Sequence, residues 1–250
     1  MIKKILSSFL VSSALFVFAA TGSYADRPTL AIGYTAAYGG YTASGQENEG
    51  AGTTQEINKK DATGAYGYSA LFIEATFADR VTIGASWMAD EIESEMTSRT
   101  DSIAPGSQAF TVNGSTALPN MPTGNGSASD TGTSTVKAEL SNLVTGYIEV
   151  SIWNGLYAKY GVMEMDVETK ESLHTDSSYP NAEMDGTTYG LGWKGSFDNG
   201  VFIKTETMMQ DWSDLHIEAT GVRTGGTDNN NSIDVSLSGA LATISIGKAF

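Results

Sequence analysis

The chain has 250 residues, a formal net charge of −15, no cysteine and a mean hydropathy of −0.15. The acidic excess repels phosphates and excludes nucleic acid as a partner, and the lack of cysteine leaves no disulfide framework. No second long apolar run follows the N-terminal one, which excludes a helical membrane bundle but not a barrel, whose strands each show a bilayer only about 9 to 11 alternating residues.

Met1-Ile2-Lys3-Lys4 is a basic start, Ile5 to Ala20 is apolar, and Ser23-Tyr24-Ala25 offers small residues at the two positions a signal peptidase reads. Residues 1–25 are therefore expected to be a signal peptide cleaved on export, leaving residues 26–250 as one domain. The apolar run is short for a membrane anchor.

Period-two alternation predicts eight strands, at residues 28–43, 66–77, 81–96, 135–152, 156–169, 186–197, 201–217 and 232–250. The first sets Leu30, Ile32, Tyr34, Ala36 and Tyr38 against Ala31, Gly33, Thr35 and Ala37. The third alternates Val81, Ile83, Ala85, Trp87 and Ala89 with more polar neighbours. In the fourth, Val136, Ala138, Leu140, Val144, Ile148, Val150 and Ile152 oppose Lys137, Glu139, Ser141, Thr145, Glu149 and Ser151. A slip of one residue there would put charges into lipid. The fifth strand has two facings. A two-residue turn at Asn154-Gly155 points Tyr160, Glu164 and Asp166 inward and Met163, Met165 and Val167 to lipid, whereas a three-residue turn including Trp153 points Lys159 inward beside Glu149. The first is expected, because the methionines and the valine suit lipid.

Connectors alternate in length. Tight turns fall at Ala78-Asp79-Arg80, Asn154-Gly155 and Asp198-Asn199-Gly200, and long polar loops at about 44–65, 97–134, 170–185 and 218–231. The pattern is an up-and-down barrel with both termini on the short-turn side. Pro28 opens the first strand and the other four prolines fall in loops, so none breaks a ladder. Phe77, Trp153 and Phe197 each stand at the entrance to a tight turn, and Phe250 ends the chain. Together they are expected to form one ring of an interfacial aromatic girdle.

These features, the Ser23-Tyr24-Ala25 site, eight alternating strands, short turns opposite long loops and a terminal Phe250, resemble the small eight-stranded outer-membrane barrels of Gram-negative bacteria, the OmpA-type transmembrane domain and OmpX-like and OmpW-like proteins. One departure is Lys248, where such terminal strands carry a second apolar residue. The resemblance implies a transmembrane barrel in the outer membrane of the cell envelope, with lipid, lipopolysaccharide and the barrel assembly machinery as partners and Phe250 as part of the assembly signal. It says little about biochemical role.

Side chains fill the interior of an eight-stranded barrel. Glu74, Glu139, Glu149, Lys194, Lys204 and Glu206 are the expected inward charges, with Lys137 nearer the loops, and buried charges of both signs must pair. The resemblance implies that this network plugs the lumen, with rare rearrangement into a narrow conducting state. The expected role is structural or surface-interacting through the extracellular loops. A porin-like channel for small solutes or ions is the alternative. A ten-stranded barrel stays open, since residues 108–113 have the pattern of a short hairpin arm.

Acidic residues gather in the loops, among them Glu47, Glu49, Glu56, Glu91, Glu93, Glu95, Glu168, Glu171 and Asp176. A divalent cation there is conceivable, but acidic loops more often simply stay solvated. Asp214-Leu215-His216 has the local form of the Asp-x-His pair of omptin-type surface proteases, a family with ten strands and a second acidic pair that has no counterpart here. Neither His174 nor His216 has a serine two residues on, as a barrel acylhydrolase would need. No catalytic residue, cofactor or metal site is expected.

Overall fold

The computed structural model describes residues 28–49, 56–88, 90–93, 97–103, 130–172, 179–220 and 231–250. The expected signal peptide, residues 108–113, His174 and Glu95 lie outside them. Among the described residues the elements are β1 (Thr29–Glu49), β2 (Glu56–Phe77), β3 (Val81–Met88), β4 (Ile92–Glu93), β5 (Thr97–Ile103), β6 (Asp130–Trp153), β7 (Leu156–Ser172), β8 (Ala182–Ser196), β9 (Val201–Trp212), β10 (Leu215–Glu218) and β11 (Ser232–Ala249).

All pairings are antiparallel and the ring closes, running β1-β2-β3-β6-β7-β8-β9-β11 and back to β1. β4 and β5 continue the line of β3 along β6, and β10 continues β9 along β11. The wall thus has eight staves. Closure satisfies the backbone groups that an open sheet would leave bare at its edges, which is what a hydrocarbon environment demands.

Each tight turn has its own device. Asn154 and Gly155 both take positive φ, 46° and 83°, as the commonest two-residue hairpin requires. At residues 198–200 the amide of Gly200 donates to the carbonyl of Phe197 at 2.9 Å and Gly200 takes φ 82°, the three-residue loop with a left-handed last residue. The first three long loops are shorter than expected. β1 and β2 stay paired out to Glu49 and Glu56, and β5 pairs with the first part of β6, so two strand extensions project from the loop side.

The outward faces are apolar. Leu30, Ile32, Tyr34 and Tyr38 of β1, Leu71 and Ile73 of β2, Ile148 and Val150 of β6, Leu191 and Trp193 of β8, and Ile244 and Ile246 of β11 are all exposed on the barrel's exterior. Leu30 to Tyr38 is the length a tilted strand needs to cross a bilayer, about 9 residues or slightly more. Trp153, Phe197 and Phe250 are exposed at the turn end, and Phe77 is half-buried there. Lys248 also faces outward, but its ammonium bends back to donate to the carbonyl of Asn199 in the last tight turn. That carries the charge to the interface, the snorkelling a basic residue needs at this depth.

Three bulges shift the alternation, and the first two overturn an expectation. Ser151 pairs with Tyr157 and Trp153 with Leu156, so Ile152 has no opposite number. The turn is the expected two-residue one, but the extra residue reverses the facing of β7. Lys159, Met163, Met165 and Val167 point inward, and Tyr160 is exposed outside. The expected facing of the fifth strand is therefore corrected. A second bulge sets Asn142 and Leu143 against Met165, with Asn142 at φ 54° and its amide donating to Asp166 at 2.8 Å. Beyond it Leu140 faces inward and packs with Val167, which turns Glu139 and Lys137 to the outer face of the extension. Glu139 is thus not in the lumen. The third bulge sets Trp212, Ser213 and Asp214 against Leu237 and Ser236, and turns Leu215 inward and His216 outward.

Candidate functional site: the closed lumen

The large inward rings are seated by glycines. Phe72 lies opposite Gly33, Tyr147 opposite Gly84, Tyr157 opposite Gly192 and Phe202 opposite Gly247, and in each case a Cβ on the glycine would collide with the ring. The rings can therefore lie flat along the wall and leave the axis to charged side chains.

At the centre is Lys204, with a side chain only 2% exposed. Its ammonium donates to Glu74 Oε1 and, at 2.6 Å, to Glu149 Oε1, while Glu206 Oε1 lies 3.9 Å away. Lys159 donates to both oxygens of Glu206, at 3.0 and 3.2 Å, and stands 3.7 Å from Glu149. Its ammonium also lies 3.9 Å from the centre of the Tyr147 ring. The Tyr147 hydroxyl donates to Glu74 at 2.8 Å, that of Tyr157 to Glu206 at 2.7 Å, and that of Thr243 to Glu206 at 3.0 Å. Lys194 faces the lumen on the turn side, 4.2 Å over the Phe202 ring. Three buried or half-buried lysines face three glutamates, so the interior is formally neutral, the condition for keeping charges in a low-dielectric space.

The structure thus brings together Glu74, Glu149, Lys204 and Glu206 from the expected set, places Lys194 beside them and removes Glu139. It adds Lys159, Tyr147 and Tyr157. Lys159 was reachable from sequence through the alternative facing of its strand, and the tyrosines through their glycine partners.

Apolar layers flank this network. Toward the turns, Phe72 and Phe202 pack with Ala31 and Ala249, the two rings 6.2 Å apart. Toward the loops, a chamber of about 50 Å3 is lined by hydroxyls that include Thr35, Thr145, Thr188 and Ser245, together with Gln210. Above it Met88, Leu143, Met163, Met165, Val167 and Met184 form a buried cluster, capped by Ile92, Leu140, Leu215 and Leu237. The lumen is closed twice, once by charge and once by apolar packing.

The Asp-x-His pair is placed on the outer face. Asp214 accepts from Ser236 at 2.6 Å, and His216 Nδ1 is 2.6 Å from Asp234. His216 Nε2 is 3.7 Å from Glu218, and the two carboxylates, the Asp234 hydrogen bond first, raise its pKa above the ordinary histidine value. Glu93 is bound by Lys137 at 2.6 Å, and Glu139 lies 3.7 Å from Lys170. Among the described residues no group of three acidic or histidine side chains is arranged to hold a metal ion.

No family model and no curated protein matches the chain. Among solved structures it is similar to the outer membrane protein OprG from Pseudomonas aeruginosa, at 9% identity over 87% of this chain and 96% of that one, with a TM-score of 0.42. It is also similar to the outer membrane protease OmpT from Escherichia coli, at 8% identity over 89% and 97% of the two chains and a TM-score of 0.42. Ail, the attachment invasion locus protein of Yersinia pestis, aligns at 11% identity over 84% of this chain and 98% of that one, with a TM-score of 0.30. The fold assignment itself rests on the closed strand pairing.

Proposed function

We propose that the protein is an integral outer-membrane barrel that acts as a closed scaffold, holding its loop-side strand extensions at the cell surface for contact with lipopolysaccharide or surface ligands. The observation that carries this reading is Lys204, whose ammonium is bonded to Glu74 and Glu149 and faces Glu206 across the lumen axis. A permeant ion would have to break that cage, and then part the methionine cluster as well. The compartment is supported by the basic-apolar-small N-terminal pattern and the apolar outer belt. Phe250 supports handling by the barrel assembly machinery, on the resemblance to small outer-membrane barrels. No hydrolytic role is proposed, since His216 and Asp214 are engaged by β11 on the outer wall.

A second reading, a narrow channel, is favoured by one observation, the hydroxyl-lined chamber between the two closures. The readings separate in planar bilayers. The scaffold shows little steady conductance across neutral pH, with at most rare brief openings. A stable, ion-selective open state in the unaltered protein overturns the scaffold in favour of the channel.

A further inference from the structure

We infer that the chamber of about 50 Å3 on the loop side of the charge cage is a hydration site, holding about three ordered waters that act as internal solvent for the buried ammonium groups. The inference rests on the closed-lumen reading, since an open lumen would hold bulk water in their place. The lining points to this ligand. Ser86 and Thr145 are register partners on β3 and β6, both border the chamber, and among the described residues neither hydroxyl is bonded to a protein group. On the wall formed by β1 and β11, Thr35 and Ser245 share one hydrogen bond of 2.8 Å, which uses one of their two hydroxyl protons and leaves the other for the chamber. Lys204 borders the same space. Glu74 and Glu149 take two of its three ammonium protons, and Glu206 Oε1, at 3.9 Å, is too far to take the third.

Other occupants fit less well. A void that stays dry is lined by carbon, whereas hydroxyls, an amide and two ammonium groups line this one. A cation would sit against the ammonium groups of Lys159 and Lys204, and an anion against the carboxylate of Glu206, which borders the same space. Because the cage is formally neutral, either ion would leave one uncompensated buried charge. Water adds no charge and both donates and accepts, as a lining of hydroxyls requires. Taking an ammonium out of water is costly, and a few fixed waters beside Lys204 and Lys159 return part of that solvation. They do so without opening a path, because the methionine cluster closes the lumen on the loop side and Phe72 and Phe202 pack on the turn side. The polar lining thus acquires a role other than conduction.

The test is high-resolution crystallography of the full barrel refolded in detergent, on native crystals, on crystals pressurised with xenon and on crystals soaked in rubidium bromide. Native crystals show about three waters in the chamber, one of them within hydrogen-bond reach of both Ser86 and Thr145, and neither xenon, rubidium nor bromide gives an anomalous peak there. The double variant Ser86→Ala with Thr145→Val keeps the side chains nearly the same size and removes both unbonded hydroxyls. In it that water loses its density while the one beside Lys204 stays. A chamber without water density, a xenon, rubidium or bromide peak in the unaltered protein, or the Ser86 water at full density in the double variant overturns the inference. Planar-bilayer conductance of the same preparation keeps the two readings apart. A dry chamber in a non-conducting barrel sinks the hydration site alone, whereas steady conductance sinks the closed lumen and the site with it.

Discussion

The lumen is built from two halves that close it by opposite means. On the turn side, charges fill the barrel above the Phe72–Phe202 pair, each carboxylate held by a lysine, a tyrosine or a threonine, and the strands carry one bulge, beside the Asn154-Gly155 turn. On the loop side, methionines and branched aliphatics fill it, and the strands there carry two of the three bulges and run on into extensions. The difference teaches that an eight-stranded interior has no single chemistry. Its requirement is that each level be filled and locally satisfied, by neutral charge clusters or by apolar packing. A buried charge set locks geometry strongly but breaks when one member is lost, whereas a methionine set tolerates change because its parts are interchangeable.

The largest effect expected comes from the device that aligns the two halves. Deleting Ile152 removes the bulge between Ser151 and Trp153 and reverses the facing of β7. Lys159 would then point to lipid and Glu164 into the lumen. A lysine near the bilayer midplane costs about 2–4 kcal/mol in a barrel, and its former partner Glu206 would be left buried, so the variant should fail to reach the folded, heat-modifiable form. Folding with unchanged yield would show that the alternation of β7 is not set by this bulge.

Next comes Lys204→Met, which keeps the length of the side chain and removes its charge. Glu74, Glu149 and Glu206 would face one another with only Lys159 and the tyrosines between them. Removing one partner of a buried pair costs about 3–5 kcal/mol. Urea unfolding in detergent should show that loss at neutral pH. On the other side of the comparison, M165L should cost less than about 1.5 kcal/mol, as volume-conserving swaps do. Equal losses at the two positions would erase the contrast between the halves.

The same contrast decides what was legible in the sequence. Strand number, tight turns and the outward belt follow from hydrogen-bond closure and alternation. Glu74, Lys204 and Glu206 could be placed because each sits in an unbroken run counted from a tight turn, and Glu149 because the stretch of β6 from Val144 to Ser151 alternates without a break. Lys159, Met163 and Met165 were assigned to the wrong side because one unpaired residue, Ile152, lies between them and the last secure position. Glu139 was lost to the lumen in the same way through Asn142. A bulge changes a facing without changing hydrophobicity, so Met163 and Val167 read equally well against lipid or a core. The signals that do separate the two are indirect: glycines set opposite Tyr147 and Tyr157 mark rings lying inside, and an asparagine such as Asn142 inside a strand marks a residue that tolerates positive φ.

The smallest effect lies outside the lumen, where β10 pairs with β11 over only Leu215 to Glu218. His216 is its main side-chain link, bonded to Asp234, which also accepts from Asn48 at 3.3 Å, with Glu218 flanking the ring. Lys59 pairs in register with Gln46, which in turn pairs with Asp234. Because the folded pKa of His216 is raised, its contribution is fully present below the unfolded histidine value, near 6.5, and is lost as pH rises through the higher folded value. The link persists as a neutral hydrogen bond, so the change is modest and local. Amide exchange at residues 215–218, corrected for the intrinsic rate, should quicken over that upper range while the lumen-facing strands stay protected. In His216→Gln the step should vanish. A step that survives the substitution, or that runs toward faster opening at low pH, would place the titrating group elsewhere than on the β10 edge.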